Sequence, residues 1–354
     1  MADPASNPYV GPRAFDAADR GLFFGREREV RQLLSLVVAR RVVLLYAPSG
    51  AGKTSLLRAG LLPELRELRE VTVLPPARVG GASPEAGAAN VYTASLLSDL
   101  LGEDADPGLS LARGLALRLG RAPEEERSRP CFLVLDQLEE LFTTRPDRWE
   151  DRGAFLRELG EALAALPQLT LILSLREDAI AQLDPWRGLL PDHLRTRFRL
   201  DLLDPEAAHR AVVLPARAAG VDFRDDAARR LIDELRVLRV QAADGSVRES
   251  PGPFVDPVHL QVVCRRLWER RPPGSTGIGT DLVLAEGGVD QALSRYWAER
   301  VAATARETGI AERAVRDWVE SHLITAHGLR GQILCEPGRT QGLDNRALFS
   351  LTGS

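Results

Sequence analysis

The chain has 354 residues, 46 Lys and Arg against 50 Asp and Glu, and a formal net charge of −4. With 44% hydrophobic residues it is neither disordered nor fibrous, and the slightly acidic balance argues against a protein whose main task is gripping nucleic acid. Cys131, Cys264 and Cys335 stand far apart, without metal or disulfide spacing, which fits a reduced cytoplasmic protein, and neither a signal peptide nor a bilayer-spanning segment is expected.

Apolar residues from Glu27 to Ala39 fall at helical spacing, and Val42 to Tyr46 reads as a buried strand. A Gly/Ser loop follows, then a helix from Ser55 that ends at Pro63. Strand candidates recur at Val71–Leu74, Cys131–Leu135, Leu169–Leu175 and Phe198–Leu202, with helices between them such as Ala154–Leu166. Near-continuous apolar strands alternating with helices indicate a parallel sheet covered on both faces, so residues 1–203 read as α/β. Beyond Asp204 helices dominate: Ala207–Val213, Asp226–Leu238, Val258–Arg270, Val289–Glu307 and Glu312–Leu323. Gln241–Pro253 and Arg271–Thr280 read as exposed loops.

The strongest motif is Ala47-Pro48-Ser49-Gly50-Ala51-Gly52-Lys53-Thr54, set between a strand and a helix. Glycines let backbone N–H groups close on a phosphate chain, and the helix N-terminus adds a favourable dipole. Lys53 then neutralises the β- and γ-phosphates, and the Thr54 hydroxyl ligates Mg²⁺. Ala47 stands where the strict pattern has Gly, with Gly50 and Gly52 supplying the turn. Lys53 is also the one lysine in the sequence, the other cations being arginine. Arginine's broad fork is no substitute for a compact ammonium among phosphates, so this lysine points to a working site.

A second motif is the strand Cys131–Leu135 ending in Asp136, followed by Gln137, Leu138, Glu139 and Glu140. An Asp at the carboxyl edge of a parallel sheet suits a Mg²⁺ ligand, and the acids after it suit a general base near the γ-phosphate. The third is the strand from Leu171 to Leu175 ending in Arg176, whose guanidinium fork could reach the γ-phosphate.

Together these residues resemble the STAND class of P-loop NTPase switches, and within it the bacterial novel STAND branch. The likeness extends to Asn7–Phe15, to Leu22–Glu29 and to Val134–Phe142. It implies a P-loop parallel sheet followed by a helical lid and a partial winged-helix module. The implied division is 1–25, packing on the nucleotide domain, then 26–203, 204–280 and 281–354. It implies that Phe24, Gly25 and Arg26 lie against the base and sugar, and that Ser49 through Ser55 hold the phosphates. Asp136 and Thr54 serve Mg²⁺, Glu139 is the base with Glu140 second, and Arg176 senses the γ-phosphate. Ala211–Ala216 resembles the lid's proline motif, which puts Pro215 on adenine, although Val213 replaces the usual Gly; Pro215 must also break or kink its helix. Asp256–Cys264 is typical of the branch but reads as helix packing. The resemblance offers His322 as a β-phosphate contact, against its reading as a surface or core histidine; His193, His209, His259 and His327 show no ligand spacing.

The resulting expectation is a slow ATPase that binds ATP or ADP with Mg²⁺ and self-associates in the ATP state, in defence or signalling. Sensor and effector parts would lie outside this chain, which reads as the core of a longer protein. Membrane and nucleic acid are not expected partners. The alternatives are a DNA-associated initiator or clamp-loader-like ATPase, and a nucleotide-binding scaffold without turnover.

Overall fold

The computed structural model describes residues 7–81, 88–102, 105–120, 128–241, 247–272, 274–324, 333, 335 and 338–352. The chain forms two units, Ala14–Ala211 and a second made of Met1–Arg13 with Val212–Ser354.

The first unit is built on a five-stranded sheet. Its strands are β1 (Val42–Ala47), β2 (Thr72–Val73), β3 (Cys131–Leu135), β4 (Leu169–Arg176) and β5 (Arg197–Arg199). Their order is β2-β3-β4-β1-β5 and every pair is parallel. Alternate residues point to opposite faces. Leu44, Leu133, Leu135, Leu171 and Leu173 face one core, with the helices Val91–Leu101, Leu111–Gly120 and Trp149–Ala165 over them. Val43, Leu45, Phe132, Val134 and Ile172 face the other, under Glu27–Ala39 and the helical run that starts at Lys53. At roughly 2 kcal/mol for each fully buried Leu, this two-sided core gives the sheet edge a stiff foundation.

The chain leaves β1 towards β2 on one side and leaves β4 towards β5 on the other. The carboxyl ends of β1 and β4 are therefore the switch point of the sheet, where ligands of such folds bind. Ala47 and Arg176 are paired there.

Two sequence expectations need correcting on helices that contain proline. The helix after the loop does not stop at Pro63: an α turn (Lys53–Ser55) widens into a π segment (Leu56–Leu61) and continues as α to Glu67. Pro63 thus sits at the start of a fresh α segment, where its missing N–H costs little. Of the break or kink expected at Pro215, the break does not occur: its helix runs from Pro205 to Ala218.

The second unit is mainly helical, with Asp225–Leu235, Pro257–Glu269, Val289–Thr308 and Glu312–His322 as its longest complete helices. The stretch read as a loop between Gln241 and Pro253 contains one arm of an antiparallel pair, Val237–Gln241 with Val247–Pro251. Leu238 is half exposed and Arg248, Glu249 and Ser250 are exposed, so among the described side chains no buried face imposes an alternating pattern on the sequence. Tyr9 is buried in this unit: its hydroxyl donates to the Val212 carbonyl, and its ring meets Trp268 edge-on at 6.2 Å. Gln261 accepts from the Val10 N–H at 3.1 Å, while Val262 and Leu267 pack in the core. For Asp256–Cys264 this agrees with the packing role read from the sequence.

Candidate nucleotide site

The loop Ala47–Thr54 leaves the carboxyl end of β1. Gly50 has φ +82° and Gly52 φ +94°, a left-handed conformation that L side chains resist. Gly52 immediately precedes the helical turn Lys53–Ser55, and a Cβ on it would meet nothing within 4 Å, so conformation and not crowding demands glycine. Ala47 is fully buried among Val43 and Leu45, and the core accommodates its methyl group where the strict motif has glycine.

Thr54 Oγ1 donates to Asp136 Oδ2 at 2.8 Å, and the N–H of Gln137 donates to Asp136 Oδ1 at 3.0 Å. These bonds hold a buried carboxylate at the carboxyl end of β3. Lys53 is half-buried; burial pushes its ammonium below the usual lysine range, while the Glu139 and Asp136 carboxylates pull it back up. Among the described residues no group of three or more His, Cys, Asp or Glu could hold a metal. The Thr54–Asp136 pair still fits Mg²⁺, a hard cation that keeps several waters and takes few protein oxygens.

The two acids that follow are separated by the backbone. Gln137 has φ +58°, which turns the chain sharply out of β3 and into the short helix Glu140–Thr143. Glu139 Oε2 accepts from the backbone N–H of Arg176 at 3.1 Å, on the β4 side. Glu140 Oε2 accepts from the N–H of Gly80 at 3.0 Å. With its amide oriented to satisfy both ends, Gln137 donates to Glu140 Oε1 at 2.8 Å and accepts from Arg78 at 3.3 Å. Burial raises both carboxyls above the usual range. For Glu139 its own backbone N–H, Lys53 and the Arg176 N–H oppose the rise; for Glu140 Arg78 and the Gly80 N–H do so.

Arg176 ends β4 with its guanidinium on Asp178, Nε to Oδ1 at 3.0 Å and Nη2 to Oδ2 at 2.6 Å. Sequence reasoning passed over Ser174, two residues earlier. It is fully buried, and its hydroxyl has no hydrogen-bond partner among the described residues. The pairing of Leu135 with Leu173 makes Asp136 and Ser174 the next residues of adjacent strands, on the same face by alternation. The available signal was a hydroxyl inside the apolar run Leu171–Leu175, where Thr170 near the start of the strand is only half-buried.

Among the other expected contacts, Ser55, Arg26 and His322 are engaged by the protein itself. The Ser55 hydroxyl is buried and accepts from the N–H of Phe15 at 3.1 Å. Phe24 is half-buried, and Ser49 is exposed. Gly25 has φ +89°, and a Cβ on it would lie 2.4 Å from the Ala207 carbonyl oxygen. Arg26 is buried, with Nη2 donating to the carbonyls of Ala51 at 3.0 Å and Asp201 at 2.7 Å. Its burial lowers the guanidinium's proton affinity, an effect opposed by Glu29. Pro215 is buried and belongs to the second unit. So does His322, whose ring stacks on Trp318 with centroids 5.3 Å apart and whose Nδ1 lies 2.9 Å from the Trp318 carbonyl oxygen. His327 lies outside the described residues. No helix among the described residues is long and apolar enough to cross a membrane.

A profile of the family described as Novel STAND NTPase 1 matches residues 8–332. A search of curated proteins finds no match. Among solved structures the chain is similar to the Walker-type ATPase paby2304 of Pyrococcus abyssi, at 16% identity and a TM-score of 0.50, covering 98% of this chain and 100% of that one. It is also similar to the ORC1 protein of Aeropyrum pernix, solved in complex with DNA, at 16% identity and a TM-score of 0.51, covering 81% of this chain and 69% of that one. At these identities the likeness shows the fold, a P-loop ATPase sheet covered by helices.

Proposed function

The chain belongs to the Novel STAND NTPase 1 family, and from that premise we propose that it is an ATP-dependent switch which binds ATP or ADP with Mg²⁺ and hydrolyses ATP slowly. The observation that carries this reading is the hydrogen bond from Thr54 to Asp136, which joins the glycine loop to the acid of β3 at the switch point of the sheet.

The backbone amides from Ser49 to Ser55 receive the phosphates, and the Lys53 ammonium offsets their charge. Thr54 and Asp136 hold Mg²⁺, which supplies charge neutralisation at the phosphates when bound. Glu139 takes the proton of the attacking water; a carboxyl raised by burial is the better base near neutral pH. Glu140 is a bracket for the chain around Gly80 and not the base. Arg176 meets the γ-phosphate by exchanging its bonds to Asp178 for bonds to phosphate oxygens.

Family membership supports the finer parts of the reading. Residues 1–25, 26–203, 204–280 and 281–354 form an N-terminal segment, the nucleotide domain, a lid with Pro215 on the base, and a winged-helix-like module. ATP favours a self-associating form, and the output is defence or signalling through elements outside this chain. Moving such a switch from almost closed to almost open takes about 5 kcal/mol of differential affinity. A γ-phosphate met by an ammonium, a guanidinium and Mg²⁺ is of that order.

Phosphate release, with and without Mg²⁺, tests the proposal directly. Mg²⁺-dependent release that Glu139→Gln abolishes supports it, and tight ATP binding without release makes the chain a scaffold. Duplex DNA binding with a steep salt dependence favours the initiator-like alternative.

A further inference from the structure

We propose that Arg26 is a positioning residue of the phosphate loop: it holds the Ala51 carbonyl and so fixes the direction of the Gly52 N–H, acting on phosphate affinity and not on base recognition. This rests on the nucleotide reading of Ala47–Thr54.

Arg26 begins the helix Glu27–Ala39 but points its head away from water, with 5% of the residue exposed. Both hydrogens of Nη2 are committed, one to the Ala51 carbonyl at 3.0 Å and one to the Asp201 carbonyl at 2.7 Å. Nη1 lies 3.5 Å from Glu29 Oε1, the carboxylate of its own helix. One guanidinium thus ties together the apex of the loop, the segment after β5 and the first turn of a helix. A planar fork can do this; a point-like ammonium cannot. Gly25 supports the placement, since only glycine at φ +89° lets the chain approach the Ala207 carbonyl closely enough to start the helix there.

The consequence for the loop follows from peptide geometry. The carbonyl of Ala51 and the N–H of Gly52 belong to one planar trans peptide and point in opposite directions. Holding the carbonyl on Arg26 therefore turns the Gly52 N–H to the far side. Gly52 itself faces open space and adopts φ +94°, the conformation in which successive N–H groups form an anion-binding concavity. Without the guanidinium this glycine peptide is free to flip, and the donor must be ordered each time phosphate binds. A guanidinium consumed by two carbonyls has little left for a base or a ribose.

The test is calorimetry on the whole chain with Mg²⁺, using ATP, GTP and inorganic tripolyphosphate as probes. Arg26→Lys should weaken all three by a common factor of about ten, leaving the ATP-to-GTP ratio as in wild type. An unchanged tripolyphosphate affinity together with a shifted ATP-to-GTP ratio overturns the proposal in favour of base contact. Should Arg26→Lys not unfold cooperatively, Arg26→Gln keeps an NH₂ donor without the buried charge and takes its place. Hydrogen exchange at the Gly52 amide gives a second readout: faster exchange in the variant supports the role, and an unchanged rate overturns it. If wild type binds neither ATP nor tripolyphosphate, the nucleotide reading itself fails and this inference falls with it.

Discussion

Glu139 accepts a hydrogen bond from the backbone N–H of Arg176 at 3.1 Å, whereas Glu140, the next residue, turns to accept from Gly80. Adjacent acids that look interchangeable in sequence therefore face different elements. Glu139→Gln should retain ATP affinity within a few-fold and lose turnover by about 100-fold or more. Glu140→Ala should act first on stability. It leaves the Gly80 N–H, the Gln137 amide and Arg78 without their carboxylate, at a cost of roughly 1–3 kcal/mol. Melting curves beside single-turnover phosphate release separate the two; full hydrolysis by the Glu139 variant sinks its assignment as base.

Burial of Glu139 also sets a pH dependence. Its carboxyl is raised, and a base must be ionised, so the acid limb of the ATPase profile should lie above the usual glutamate range of about 4. The same shift affects stability. A carboxyl raised on folding contributes most below its unfolded value, and that contribution is lost as pH rises through the folded value. Near neutral pH the ionised Glu139 therefore weakens the fold, and Glu139→Gln should melt higher than wild type. The gap should close on acidification. A gap that stays constant with pH would show that Glu139 carries no raised carboxyl.

The sheet was legible because β3 and β4 are near-continuous apolar runs, which only a doubly covered parallel sheet requires. The glycine loop was legible because its spacing reflects backbone conformation, a local property. The helix Val91–Leu101 was not, since Val91 to Leu97 are all buried and leave no polar face to reveal a period. The partners of Arg26 were equally hidden: Ala51 and Asp201 offer only backbone carbonyls, which carry no sequence signature. The Glu140 bracket likewise closes on a backbone N–H, that of Gly80.

Under the proposed role of Arg176, Asp178 is the anion that phosphate must displace. The pair is bidentate, but Asp178 is 65% exposed, which limits its strength to about 1 kcal/mol. Asp178→Asn should free the fork and increase the preference for ATP over ADP by a few-fold. Arg176→Ala should bind ADP as wild type does and lose the preference for ATP. Calorimetric titration with both nucleotides checks both. An Asp178→Asn variant with a lower preference for ATP would contradict competition between the two anions.

Lys53 offers a separate test in a chain whose other basic side chains are arginine or histidine. It sits half-buried near Glu139 and Asp136, with burial lowering its proton affinity. Lys53→Ala should abolish tight ATP binding. Lys53→Arg keeps the charge but puts a planar fork where a compact ammonium fits, and it should also bind at least about ten-fold more weakly. Calorimetry that finds the Arg variant equal to wild type would remove the geometric reason for the lysine.

Gly25 is where the fold tolerates least. A methyl group there would lie 2.4 Å from the Ala207 carbonyl oxygen, a backbone atom with no rotamer to give way. The φ of +89° adds the strain of a conformation that L-residues resist, about 1–2 kcal/mol. Together with the overpacking, Gly25→Ala should cost about 3 kcal/mol or more. The effect should reach the nucleotide site, because Gly25 leads directly into Arg26 and the carbonyls it holds. Denaturant unfolding should therefore show a lower midpoint, with tripolyphosphate affinity falling under conditions where the variant is still fully folded. A variant as stable as wild type would mean that the helix begun at Pro205 shifts away at no cost, and that Gly25 does not fix the position of Arg26.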